Sequence, residues 1–369
     1  MFKMMSCLLL ALLMALSGAG YGERFLASSD LHLTEDRALH ASALGALGTA
    51  AGDFDGLILL GDTANNAHDA EHAHALEFLE GLGTAAYVIP GNHDLTARLR
   101  PGDFARLYGA CGWDGAFARD AETASCAVMT AGGTCLLLLD TNAYNGPDNV
   151  AALGGVSDGT LEWVAETLAS IKEGTPVIAC GHHPILPGSR ESMTPGATRL
   201  AEALRSGGVR LYLCGHDHGF AAVEADGLQQ ITVGQPQAYP GWGGALEVTE
   251  AGVRWRVLPL YTGDDPAWRE MAENAARLGE RMGRSTLEGT VWEGDEEAVR
   301  WFATAFNLIF TSGLTEDVCE KLLADPAAQK WREIETRTVV KRWIFGVLEH
   351  CPQDVREIDL RNRHWSAGG

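Results

Sequence analysis

An α/β fold is predicted by three observations: short apolar runs of strand character, helical stretches between them, and a polar cluster at the end of most runs. The runs are 25–28, 57–60, 86–89, 135–139, 177–180, 211–214 and 231–233. Between them, 67–82 and 160–172 have helical character, the second repeating Leu161, Val164, Leu168 and Ile171 along one face. Strands alternating with helices make βαβ units, which implies a parallel or mixed sheet covered by helices.

The ends of the runs carry the chemistry. The first ends in Asp30-Leu31-His32, the second in Gly61-Asp62 and the third in Gly91-Asn92-His93-Asp94. The fourth ends in Asp140-Thr141-Asn142, the fifth in Gly181-His182-His183-Pro184 and the sixth in Gly215-His216-Asp217-His218. A turn explains a Gly or an Asn at such a place, but not the His and Asp beside them. Ligands of open α/β sheets collect beyond the carboxyl ends of the strands, so the clusters are expected to face one crevice. Left without a partner, they would be a costly set of desolvated polar groups. Cations resolve this: carboxylate, amide oxygen and imidazole suit zinc, manganese or iron, and the absence of Cys argues against a thiolate site. There are more ligands than one ion uses. Two ions about 3.5–4 Å apart, sharing a bridging carboxylate, fit better.

Beyond about residue 262 the pattern becomes helical. "PAWREMAENAARLGERMGR" is one such stretch, and "DEEAVRWFATAFNLIFTSG" sets Val299, Phe302, Phe306 and Ile309 on one face with Gly313 as a stop. "EDVCEKLLADP" and "RTVVKRWIFGVLEHCP" continue it, the latter through Val340, Trp343, Val347 and Leu348. The expected division is a leader over 1–19, an α/β domain over 20–262 and a helical domain over 263–369. Six of the ten Trp residues, at 268, 292, 301, 331, 343 and 365, fall in the helical part. They are expected to pack its helices on each other and on the first domain.

Lys3, an apolar run from Cys7 to Leu16 and the small residues Ser17-Gly18-Ala19 resemble a cleavable export signal. The run falls short of the roughly 20 apolar residues of a membrane span. Export is therefore expected, with no stable span. The net charge is −21; removing 1–19, which holds Lys3 and no acid, makes it −22. Such a surface repels polyanions, so nucleic acid is not an expected partner. Cys135, Cys180 and Cys214 lie in apolar runs and read as core thiols, whereas Cys319 and Cys351 are free to pair in the helical part.

The ordered blocks "DLH" at 30–32, "GD" at 61–62, "GNHD" at 91–94, "GHHP" at 181–184 and "GHDH" at 215–218 resemble those of the calcineurin-like metallophosphoesterase superfamily, of the exported bacterial type. The resemblance covers about 24–262 and implies a four-layer αββα sandwich, here with a C-terminal helical region. It implies that Asp30, His32 and His218 hold one metal ion, that Asn92, His182 and His216 hold the other, and that Asp62 bridges them. The ions would be divalent or trivalent Mn, Fe or Zn. It further implies that His93 protonates the leaving alkoxide and that Asp94 orients His93. The reaction implied is attack on phosphorus by a hydroxide that bridges the two ions. With two divalent ions (+4), Asp30 and Asp62 (−2) and the hydroxide (−1), the site stays positive for a small phosphoester.

Asn65, Asn66, Asn142 and Tyr144 sit on the same rim and are candidate substrate contacts; His183 is a candidate either for substrate or for support behind the ligand His182. The loop "QPQAYPGWGG" at 235–244 is a candidate pocket wall. His68, His72 and His74 lack the zincin order and read as a solvated helix face. "GNHD" leans the expectation towards phosphodiesters. The alternatives are a phosphomonoesterase acting on protein or small molecules, and a non-catalytic protein that binds phosphoesters through its metals. Oligomeric state is not legible.

Overall fold

A computed structural model describes residues 22–95, 99–144, 150–186, 194–310, 314–334, 339–351 and 353–360. The expected leader, Gly313 and Trp365 lie outside these residues, as does the side chain of Trp343. The chain runs β1 (Gly22–Ser28), α1 (Arg37–Ala51), β2 (Gly56–Leu59), α2 (Asp69–Glu80), β3 (Ala85–Val88), α3 (Pro101–Leu107). It continues through β4 (Ala116–Arg119), β5 (Cys126–Met129), β6 (Cys135–Leu139), the short pair β7 (Ala143–Tyr144) and β8 (Val150–Ala151), and α4 (Asp158–Ser170). Next come β9 (Val177–Gly181), α5 (Ala197–Ser206), β10 (Leu211–Cys214), β11 (Ala221–Ala225), β12 (Leu228–Thr232), β13 (Trp242–Thr249) and β14 (Gly252–Pro259). Five helices follow, α6 (Pro266–Leu287), α7 (Glu296–Phe310), α8 (Glu316–Ala324), α9 (Pro326–Glu333) and α10 (Val339–His350), and then β15 (Glu357–Asp359).

Two sheets form. One has the order β15-β14-β13-β1-β2-β3, the other β11-β12-β10-β9-β6-β5-β4. All seven expected runs are strands, and they supply the parallel centre of each sheet: β1-β2-β3 in one and β12-β10-β9-β6 in the other. Their continuous apolar character follows from burial on both faces. In β6, Leu136 and Leu138 join Phe25, Leu57, Ile178 and Leu213 in one core. Leu137 and Leu139 point the other way, onto Leu161 and Val164 of α4 and Leu200 and Leu204 of α5. The result is a mixed α/β sandwich of two sheets and covering helices, with a helical region near the C terminus.

That region has its own core of Val299, Phe302, Phe306, Trp331, Ile344 and Leu348. Trp301 and Trp331 are buried in it, their indole N–H groups donating to the carbonyls of Leu322 and Ala298 at 2.9 Å each. Near residue 360 the chain returns to the first domain. β15 pairs with β14, and Val355, Ile358 and Leu360 enter the core of the first domain.

At the end of the sandwich away from the polar clusters, Glu23 ties the two sheets together. Its carboxylate accepts from Thr130 Oγ1 (2.7 Å), Gly132 N (2.7 Å) and Thr134 N (3.1 Å), all in the β5–β6 turn. Glu23→Ala is expected to cost about 2–4 kcal/mol, because three hydrogen bonds to a buried charged group are lost together. Urea unfolding would register this as a lower midpoint at unchanged slope.

Candidate metal centre

The clusters occupy the carboxyl ends of the parallel strands of both sheets, where loops lock to one another. Asp30 N donates to Gly61 O (3.0 Å) and His32 N to Asp62 O (2.9 Å), continuing the β1–β2 ladder past the strands. Among the bonds that cross between sheets, His182 Nδ1 donates to Leu60 O at 2.8 Å, and His216 N to Asp30 Oδ2 at 3.1 Å. Gly91 and Gly215 are needed for this closeness. A Cβ at Gly91 would fall on the Asp62 carboxylate, and one at Gly215 on the Ser29 hydroxyl.

Five residues here hold left-handed backbone: Asp30 (φ 54°), His32 (φ 42°), Asp62 (φ 50°), His216 (φ 72°) and His218 (φ 59°). The conformation costs an L residue about 1–2 kcal/mol, least for short polar side chains. It turns successive side chains to the same place. Asp30, His32, Asp62 and His218 offer ligand atoms within 4.8 Å of one another, and so do His182, His183 and His216. Asp62 joins the groups, its Oδ2 lying 3.7 Å from His32 Nε2 and 3.3 Å from His182 Nε2.

These side chains fit cations on two grounds. Asp30 Oδ1 and Asn92 Oδ1 are buried without a hydrogen-bond partner, a costly state that an ion would relieve. Ring nitrogens also face each other closely, His32 Nε2 to His218 Nε2 at 3.1 Å and His216 Nδ1 to His182 Nε2 at 3.3 Å. Charge is tightly linked. Burial alone would raise the Asp62 carboxyl, but His182 beside it, with His32 and the His93 amide, holds it well below the usual carboxylate range. Burial alone would lower His182, and the Asp62 carboxylate overrides this and raises the ring to about 10. Burial, with repulsion from Asp62, lifts Asp30 to about 6 against the pull of His182.

A family model described as calcineurin-like phosphoesterase matches residues 23–220, more than half of the chain. The chain belongs to this family. Over 172 residues it is 26% identical to the 3',5'-cyclic adenosine monophosphate phosphodiesterase CpdA of Escherichia coli K12, and equally to that of strain O157:H7. The match takes in 45% of this chain and 55% of the relative, so the chain spans about half the length of the curated relatives it matches. In fold it is similar to a dimetal phosphatase from Danio rerio, with a TM-score of 0.50 at 14% identity over 65% of this chain and 96% of that one.

Around the phosphoesterase centre, several expectations need correction. Asp94 was expected to orient His93. Its carboxylate instead accepts from Ala64 N at 2.7 Å and Gly91 N at 2.8 Å, so it braces the turn. Burial and the nearby Asp62 raise it to about 7. The His93 ring takes its orientation from a carbonyl, Nδ1 donating to Asn65 O at 2.6 Å. The ring is exposed and stands edge-on to His32 with centroids 4.7 Å apart.

His183 is wholly buried, with Nδ1 against Thr141 Oγ1 at 2.9 Å. It packs beneath His216, their ring centroids 4.7 Å apart, which places it behind the candidate ligands. Tyr144 donates its hydroxyl to Asp140 Oδ2 at 3.0 Å, and Asn66 gives its side-chain amide to Glu71 Oε1 at 3.2 Å. These bonds hold both side chains at the rim, where Asn66 stays exposed and Tyr144 half-buried. His72 and His74 do not lie on a solvated face. Both are buried, with Nδ1 of His72 on Tyr108 Oη (2.8 Å) and Nδ1 of His74 on Thr34 O (3.0 Å), because α2 turns this side onto the loops.

Two residues whose supporting role was not expected from the sequence, Gln237 and Asn142, hold the centre in place. Gln237 Nε2 donates to the carbonyls of Asp30 and Leu31, each at 2.8 Å, and so clamps the left-handed stretch from the 235–244 loop. The same loop is held from the helical region, where Trp268 Nε1 donates to Pro240 O at 3.1 Å. Asn142 Nδ2 donates to Pro90 O at 3.3 Å and to Asp140 Oδ1 at 2.8 Å, tying β6 to the GNHD turn.

Proposed function

We propose that this chain hydrolyses phosphoesters, phosphodiesters before monoesters, with two metal ions. Asp30, His32 and His218 would hold one, Asn92, His182 and His216 the other, and Asp62 both. The observation that carries this reading is the placement of Asp62 Oδ2 within 3.7 Å of His32 and 3.3 Å of His182, one from each ligand set. When bound, such ions lower the pKa of a shared water and neutralise phosphoryl oxygens. The protein's own work is to position. Asp62 is fixed by the His93 amide, which donates to Oδ1 at 2.8 Å, leaving Oδ2 for ions. Asn65 O holds the His93 proton on Nδ1, so a second proton on Nε2 is the one available to a leaving oxygen. The preference for diesters is supported by the "GNHD" turn and by the printed activity of the cyclic nucleotide relative. The leader-like segment 1–19 supports action outside the cytoplasm.

The test is turnover of bis(p-nitrophenyl) phosphate and of p-nitrophenyl phosphate with manganese, and again after chelation. Diester turnover above monoester turnover, abolished by chelator and restored by metal, is expected. Faster monoester turnover would make the chain a phosphomonoesterase. Tight metal binding without turnover of either would make it a binding protein.

A further inference from the structure

We propose that Cys319 and Cys351 form a disulfide that pins the helical region to the segment returning to the first sheet. Cys319 is buried on α8, and Cys351 is half-buried just after α10. Their Sγ atoms stand 2.8 Å apart across 32 positions of sequence. That is nearer than unbonded sulfurs settle, and a small side-chain rotation brings them to the bonded separation of about 2.05 Å. The remaining described cysteines, Cys111, Cys126, Cys135, Cys180 and Cys214, are all buried in the first domain, so the half-buried Cys351 is the thiol a reagent reaches first, and Cys319 is the sulfur beside it.

Placement gives the bond a mechanical role. Cys351 turns the backbone with a left-handed φ of 30°. Gln353 then bridges to Ala222 of β11, and β15 joins β14. A covalent tie to α8 would hold this turn where the chain leaves one core for the other. Access exists, since a cavity of about 640 Å³ opens over the pair, with Glu316, Glu320, Glu349 and Asp354 among its lining residues. An acidic mouth favours a cationic oxidant. The Cys351 thiolate attacks one sulfur of a small disulfide such as cystamine, forming a mixed disulfide and expelling one cysteamine thiolate. Cys319 loses its proton and displaces the second cysteamine. In sum, two protein thiols lose two protons and two electrons, and the reagent is reduced to two thiols.

Full-length protein treated with cystamine, alkylated under denaturing conditions and digested should yield a peptide linking Cys319 to Cys351. Dithiothreitol should release it. In Cys319→Ser, Cys351 should stop at the cysteamine adduct. Proteolysis within 350–356 should slow several-fold in the oxidised wild type. Alkylation of both residues after treatment, separate adducts on each, or linkage of either to another cysteine would overturn the pairing. An unchanged cleavage rate in the linked form would overturn the pinning.

Discussion

His93→Ala is expected to lower kcat on an alkyl phosphodiester by about 10²–10⁴-fold, the usual contribution of a positioned acid. The loss should be far smaller on a nitrophenyl ester, whose leaving phenolate is stable without a proton. The geometry supports this split. His93 is exposed and held by Asn65 O through Nδ1, and its side chain belongs to neither group of candidate ligands. Its backbone amide, which fixes Asp62, survives the substitution. Metal content should therefore stay at the wild-type level. Equal losses on both esters, or ions lost with the ring, would remove His93 from the role of acid.

His182→Ala is expected to weaken binding of one ion by at least about 100-fold, more than the loss of a residue that merely supports a ligand. The ring is wholly buried and reaches Asp62 Oδ2 and Leu60 O, so little else can take its place. Proton release adds a second readout. Without ions, the Asp62 carboxylate raises the His182 ring, yet only the neutral ring can bind a cation. Metal uptake should thus expel a proton, and affinity should grow as pH rises. Calorimetry in buffers of different ionisation enthalpy would give the proton count, expected to fall in the variant. A cooperative melt and unchanged far-UV circular dichroism are expected, since β9 and β10 keep their pairing. Global unfolding would mean that the residue serves the fold first.

The parallel strands and the convergence of the polar clusters at their ends were legible because both follow from one rule: a buried strand must be apolar, and a polar group at its end needs a reason. The antiparallel margins were harder. The β13–β14 hairpin has no polar terminus to mark it, and β15, three residues long, depends on pairing with Arg254, Trp255 and Arg256 about a hundred positions earlier. α1 and α5 fall between the expected strands, where helices belong, but neither was singled out. The support of the centre was legible least. Gln237 and Asn142 act through backbone carbonyls, which can be approached by any amide that the fold brings near. Asp94 was misread for a related reason. Its neighbour in sequence is His93, but its neighbours in space are two backbone amides.

The left-handed backbone at Asp30, His32, Asp62, His216 and His218 offers a way to sort relatives by inspection. Glycine accepts that conformation readily, so a lineage released from catalysis would gain by drifting to glycine there. A homologue with glycine at one of these positions would keep the turn while losing a side chain that we propose holds an ion, and is expected to bind metal less tightly than a chain that keeps all five.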